Sequence, residues 1–110
     1  MPEDYTPQEV AQLLADGTID LIDVREPHEH AAGRIAAGRP IELGRLSEEA
    51  ATIDRRRPIV FYCRSGARSG MASEAFAQAG YDAHNMTGGL LAWDAAGLPL
   101  EPDGGYVAEP

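Results

Sequence analysis

Pro58-Ile59-Val60-Phe61-Tyr62-Cys63-Arg64-Ser65-Gly66-Ala67-Arg68-Ser69 joins an apolar run, the only cysteine of the chain and a Gly-containing turn. Ile59 to Tyr62 reads as a buried strand. Met71, Ala72, Ala75, Phe76 and Ala79 carry the chain on as a helix. Cys63 therefore stands at the carboxyl end of a strand, where a turn into a helix aims successive backbone N–H groups into one cavity and the helix dipole adds partial positive charge. A thiolate is stabilised there, and Arg64 and Arg68 are expected to depress its pKa further. Free cysteine is also a small core hydrophobe, but the strand, loop and helix around this one favour a nucleophile.

Upstream, Thr6-Pro7-Gln8-Glu9 reads as a helix start, with Thr6 as N-cap, Pro7 at the first helical position and Glu9 closing a capping box. The helix should run to about Asp16 with Gly17 as its stop. Ile19 to Val24 reads as a buried strand ending in a carboxylate, and Pro27 opens a short helical turn ending at Gly33. Gly38 and Pro40 weaken a strand, which places a short edge strand around Ile41 to Leu43. Ser47-Glu48-Glu49 should cap a helix through Ile53. Downstream, Gly80 ends the helix after Cys63 and Tyr81 to Met86 reads as another strand. Gly88-Gly89 then leads into a helix with Leu90, Leu91 and Trp93, closed by Gly97, with Thr87 as its expected cap. Strands alternating with helices imply an α/β sandwich around a largely parallel sheet. Leu98 to Pro110, rich in Pro, Gly and acids, should form an extended or frayed tail.

The 110 residues fit one domain, 1–110, which folds without disulfides or metal. Eighteen acidic against nine basic residues give a net charge of -9, which disfavours nucleic acid and anionic membrane surfaces as partners. All nine basic residues are arginines, so Schiff-base chemistry and a P-loop lysine are excluded. Arg55-Arg56-Arg57 reads as cations in a solvated loop at a helix C-terminus. Met1 to Tyr5 has neither a basic stretch nor an apolar segment, and no run approaches the ~18 apolar residues of a membrane span. The expectation is a soluble protein of the reducing cytoplasm. Arg64 and Arg68 beside Cys63 make a locally positive site suited to a small anion.

Taken together, Leu21-Ile22-Asp23-Val24-Arg25-Glu26, Glu29 with Gly33 four on, the stretch from Val60 to Ser69, Gly88-Gly89, and Trp93 followed by Gly97-Leu98-Pro99 resemble a single-domain rhodanese. The likeness covers about Thr6 to Pro99. It implies a three-layer α/β sandwich, with a mostly parallel sheet of about five strands and helices on both faces. It also implies ping-pong transfer of sulfane sulfur through a Cys63 persulfide, with no other cofactor. The donor is thiosulfate or a similar anion, and the acceptor is cyanide in the assay and a thiol, or a protein, in the cell. The loop amides of Arg64, Ser65, Gly66, Ala67, Arg68 and Ser69 would hold the anionic sulfur, with the two guanidinium groups on the donor oxygens. Gly66 is expected at positive φ or in close approach to ligand.

Asp23 and Arg25 are expected to brace the loops, Gly88 and Gly89 to let the last helix approach the site, and Trp93 to pack in the core beneath it. His28 and His30 lack an evident third ligand, so no metal is expected and both read as solvated. The family pattern Gly-His-Ile-Pro-Gly-Ala is Gly33-Arg34-Ile35-Ala36-Ala37-Gly38 here, which leaves the local loop shape open and puts Arg34 in solvent. Three rivals stand beside this reading. A cysteine phosphatase or arsenate reductase wants five residues between Cys and Arg, whereas Arg68 follows Cys63 after four. A non-catalytic interaction module tends to lose the cysteine. A persulfide carrier for a biosynthetic relay would use the same chemistry at Cys63.

Overall fold

Strand β3 (Ile59–Tyr62) lies inside a four-stranded sheet of order β2-β1-β3-β4, with β1 at Asp20–Asp23, β2 at Gly38–Pro40 and β4 at Ala83–Asn85. The computed structural model describes residues 3–110; Met1 and Pro2, the first residues read above for a targeting signal, lie outside them. Every pairing is parallel, with Asp20 to Asp23 in register with Ile59 to Tyr62 and Ile59 to Phe61 in register with Ala83 to Asn85. All carboxyl ends therefore share one edge, which brings the segments after Asp23, Tyr62 and Asn85 side by side.

Both faces of the sheet are covered, which is why β3 reads as an unbroken apolar run and not as an alternation. Leu21, Val60 and Tyr62 pack with Val10 of α1 (Pro7–Asp16) and with Leu90 and Trp93 of α5 (Gly89–Ala95). Ile22, Ile59, Phe61 and Cys63 pack on the other face with Leu46 of α3 (Leu46–Glu49) and with Ala72 and Phe76 of α4 (Ala67–Gln78). Burying such a side chain fully stabilises the fold by about 1.5–3 kcal/mol. The fifth helix, α2 (Pro27–Ala32), follows β1 at the carboxyl edge. The first helix is as the sequence implies: Thr6 and Glu9 form the capping box, and Gly17 closes it at φ 70°.

Several expectations need correction. Among the described residues the sheet has four strands rather than about five. The edge strand lies at Gly38–Pro40, not Ile41 to Leu43, because at an edge Pro40 loses no ladder hydrogen bond that β1 requires. Ile41 and Leu43 still donate to Asp23 and Val24 carbonyls. The helix expected from Ser47 to Ile53 is one α turn between two 3-10 turns, Leu43–Arg45 and Ala50–Thr52, and Ser47 caps nothing. Gly88 rather than Thr87 occupies the N-cap of α5.

The tail is extended but not frayed. Arg34 and Glu101 exchange two 2.8 Å backbone hydrogen bonds, and Tyr106 N–H donates to Ala32 O at 3.0 Å. Gly33 lies against the Tyr106 backbone so closely that a Cβ has no room. Among the described residues, no helix is long and apolar enough to cross a membrane.

Candidate active site

β3 ends at Tyr62, and the next residue, Cys63, is 1 % exposed. The chain then turns through Arg64, Ser65 and Gly66, the last at φ 103°, before α4 begins at Ala67. That positive φ swings the first turn of α4 over the sulfur. Gly66 N–H donates to Cys63 Sγ at 3.1 Å and Ser69 N–H at 3.5 Å, while Ser69 Oγ stands 3.3 Å from it. Burial pushes the Cys63 thiol up, but the Ser69 hydroxyl and the N–H groups of Ser69, Gly66 and Ser65 pull it further down, so it lies below the ordinary thiol value. Such a set of donors suits a sulfur anion at Cys63.

The two arginines are placed differently from expectation. Arg64 Nε donates to Ala108 O at 3.2 Å, and Nη2 stands 3.7 Å from the Glu109 carboxylate. Arg68 donates from both terminal nitrogens to Glu29 at 2.9 Å. Loop hydrogen bonds are the largest influences lowering the thiol. Arg34 is neither at the sulfur nor free in solvent: its Nη1 donates to His30 O at 3.3 Å, and it lines a cavity of about 580 Å³ that Cys63 does not line.

Asp23 and Arg25, both buried, meet in a two-point pair, Nε to Oδ1 at 2.9 Å and Nη2 to Oδ2 at 2.7 Å, and Arg25 Nη2 reaches Gly33 O at 2.8 Å. The Arg25 Cζ sits 5.4 Å from the Tyr62 ring centroid. Neither residue touches the sulfur; the pair ties the end of β1 to the end of α2, a bracing position. His30 is not solvated as expected, because its Nδ1–H donates to Asp23 Oδ2 at 2.8 Å. His28 Nε2 lies 3.0 Å from Glu109 O.

Glu26, His28 and Glu29 have ligand-type atoms within 4.8 Å of one another, whereas the sequence reading considered His28 with His30. Both Glu29 oxygens already accept hydrogen bonds from Arg68, and Oε2 accepts the Glu26 N–H as well. A guanidinium held against that carboxylate opposes a second cation.

Gly88 and Gly89 let α5 close in. A Cβ on Gly89 would lie 2.5 Å from Arg64 O and 2.6 Å from Cys63 O. Leu90 and Leu91 N–H groups donate to those same carbonyls at 2.8 and 3.0 Å. The Cys63 loop is thus clamped between two helix N-termini. Trp93 is buried in the core shared with α1, and its Nε1–H donates to Pro99 O at 2.8 Å.

Sequence reading missed Asn85, the end of β4. Its Oδ1 lies 2.6 Å from Ser69 Oγ, and its Nδ2 donates to Gly66 O at 3.1 Å. A polar side chain ending an otherwise buried strand was the available signal. Glu29 contributed to the family resemblance, yet its pairing with Arg68 was not foreseen. The tail contacts at Arg64 had no sequence signal at all.

Residues 6–96 match the family model described as a rhodanese-like domain, which is most of the chain. The chain belongs to that family. This rhodanese-like domain is 36% identical over 107 residues to a sulfurtransferase of Allochromatium vinosum, covering 94% of this chain and 100% of that protein. It is 32% identical over 88 residues to the thiosulfate sulfurtransferase GlpE of Pseudomonas aeruginosa, covering 79% of each. A crystal structure of a rhodanese-related protein from Thermoplasma volcanium superposes with a TM-score of 0.84 at 26% identity, covering 89% of this rhodanese-like domain and 96% of that chain.

Proposed function

We propose that this rhodanese-like domain is a sulfurtransferase that carries sulfane sulfur on Cys63. The carrying observation is the set of N–H and hydroxyl groups converging on one buried, ionisable sulfur. The names of its relatives support the same class of reaction.

With thiosulfate as donor, the Cys63 thiolate attacks the outer sulfur. A new S–S bond forms at Sγ, the bond between the two donor sulfurs breaks, and its electron pair leaves with sulfite. The product is a persulfide anion, and total charge is unchanged. Cyanide then attacks the outer sulfur, takes it as thiocyanate, and returns the thiolate; a thiol acceptor takes it in the same way. No proton transfer is needed within the transfer steps, so stabilising a sulfur anion is the whole catalytic demand. The N–H groups of Ser65, Gly66 and Ser69, which act on Cys63 Sγ, serve the thiolate and the persulfide alike. Arg68, about a quarter exposed while paired with Glu29, keeps part of its guanidinium available to donor oxygens. Arg64 has to leave Ala108 and Glu109 to do the same. A reducing compartment such as the cytoplasm suits this chemistry, since the thiolate must escape oxidation between turnovers.

Mass spectrometry of the intact protein after thiosulfate treatment tests the reading. One sulfur atom should be gained on Cys63 and lost on adding cyanide, with thiocyanate released. Cys63→Ser should gain none while keeping its circular dichroism. Sulfur uptake by Cys63→Ser, or none by the wild type, would reject the proposal.

A further inference from the structure

Ser69 has one hydroxyl hydrogen and faces two acceptors. Its Oγ is 2.6 Å from Asn85 Oδ1 and 3.3 Å from Cys63 Sγ. The other end of the Asn85 amide fixes which atom faces the serine. Asn85 Nδ2 lies 3.1 Å from Gly66 O, a carbonyl that only accepts, so the nitrogen must point to Gly66 and the oxygen to Ser69. An amide oxygen also only accepts. The short Oγ to Oδ1 contact therefore uses the Ser69 hydrogen, and Oγ then turns its lone pairs to the sulfur. A thiol S–H can donate to those lone pairs; a thiolate is repelled by them. The hydroxyl helps a thiolate only after rotating to give its hydrogen to Sγ, which leaves Asn85 Oδ1 without it.

We infer that Asn85 is a positioning residue for the reaction at Cys63, because it competes with the sulfur for the single hydroxyl hydrogen of Ser69. In the resting thiol the chain of donors runs from Sγ through Oγ to Asn85. In the thiolate the hydroxyl points back at Sγ. Once the outer sulfur has been transferred, Sγ is uncharged and the negative charge sits one atom further out, so the hydroxyl returns to Asn85. Throughout, Nδ2 holds Gly66 O and keeps the loop in shape while only a hydrogen moves. The inference rests on Cys63 being the sulfur-carrying nucleophile and adds what sets its ionisation. The charged groups nearest the loop are paired, Arg64 with Glu109 and Arg68 with Glu29, and none of the four is substituted in the variants below.

The single cysteine allows direct titration of the thiolate by its ultraviolet absorbance, with Cys63→Ser as blank. Asn85→Ala should move the midpoint down, raising the thiolate-to-thiol ratio at a fixed pH below it about three- to tenfold. Ser69→Ala should move the midpoint up. In the Ser69→Ala background, replacing Asn85 should change nothing, since no hydroxyl remains to be shared. Asn85→Leu, branched at the same atom and equally without an acceptor, should act as Asn85→Ala does and serves if the smaller side chain unfolds the loop. An upward or absent shift in both Asn85 variants, or an equal shift with and without Ser69, would overturn the inference, the latter by showing that Asn85 acts on loop shape alone. The titration needs no sulfur donor. The predicted pattern in a protein that forms no persulfide would therefore reject the proposed function and leave the hydrogen placement standing.

Discussion

Arg68 and Glu29 form a two-point ion pair, 2.9 Å at each contact, between residues 39 positions apart. The carboxylate is wholly buried, and the guanidinium is a quarter exposed. The pair fastens the first turn of α4, which covers the sulfur, to α2 from the first half of the chain. Arg68→Ala should therefore lower stability by about 2–4 kcal/mol in urea denaturation, because it leaves a buried carboxylate alone. Its loss of activity with thiosulfate should not be confined to KM. Adding Glu29→Gln to Arg68→Ala should recover part of the stability, and an unchanged urea midpoint in the single variant would contradict this role for the pair.

Acid should weaken the fold through two carboxyls at the sheet's carboxyl edge. Burial pushes both up, but Arg25 with His30 pulls Asp23 lower still, and Arg68 with the Glu26 N–H does the same for Glu29. Both fold with depressed values, so the stability they contribute is fully present above their unfolded values of about 4 and is lost as pH falls through the folded ones. Urea midpoints should be flat from neutral pH to about 5 and fall below about 4. In Glu29→Gln the fall should be shallower. A fall that is equally steep in this variant would assign the acid sensitivity elsewhere.

Gly89→Ala should damage the site without touching its chemistry. Gly89 has φ 62°, and a Cβ there meets the Arg64 and Cys63 carbonyls at 2.5–2.6 Å. Backbone strain and overpacking together should lower stability by about 2–4 kcal/mol. Thermal melting and thiocyanate release should fall together, whereas Gly97→Ala, where nothing lies within 4 Å, should show only the smaller effect of its φ of 76°.

Gly33→Ala should loosen the tail selectively. Gly33 is in extended backbone, φ -179°, so alanine suits its conformation, but the added Cβ runs into the Tyr106 backbone. Amide exchange should quicken at Tyr106 and Glu101, whose N–H groups bond Ala32 and Arg34 carbonyls, while Val60 and Phe61 stay protected. Uniform quickening across β3 as well would mean that the tail is part of the global folding unit.

The sequence by itself determined the α/β architecture, the position of Cys63 at a strand-to-helix turn and the capping box of α1, and for Gly66 it left a positive φ as one of two readings. These follow from local chemistry: periodicity, turn residues and caps act over a few positions, so neighbouring letters suffice. The edge strand at Gly38–Pro40 escaped because its place is set by pairing with β1, which overrides what Gly and Pro favour alone. Only the tertiary structure decided that Arg68 faces Glu29, that Arg64 is held by Ala108 and Glu109, and that Asn85 shares the Ser69 hydroxyl. Each of these joins segments that the parallel sheet brings to one edge, and the partner of a side chain there is chosen by three-dimensional proximity, which spacing along the chain does not encode.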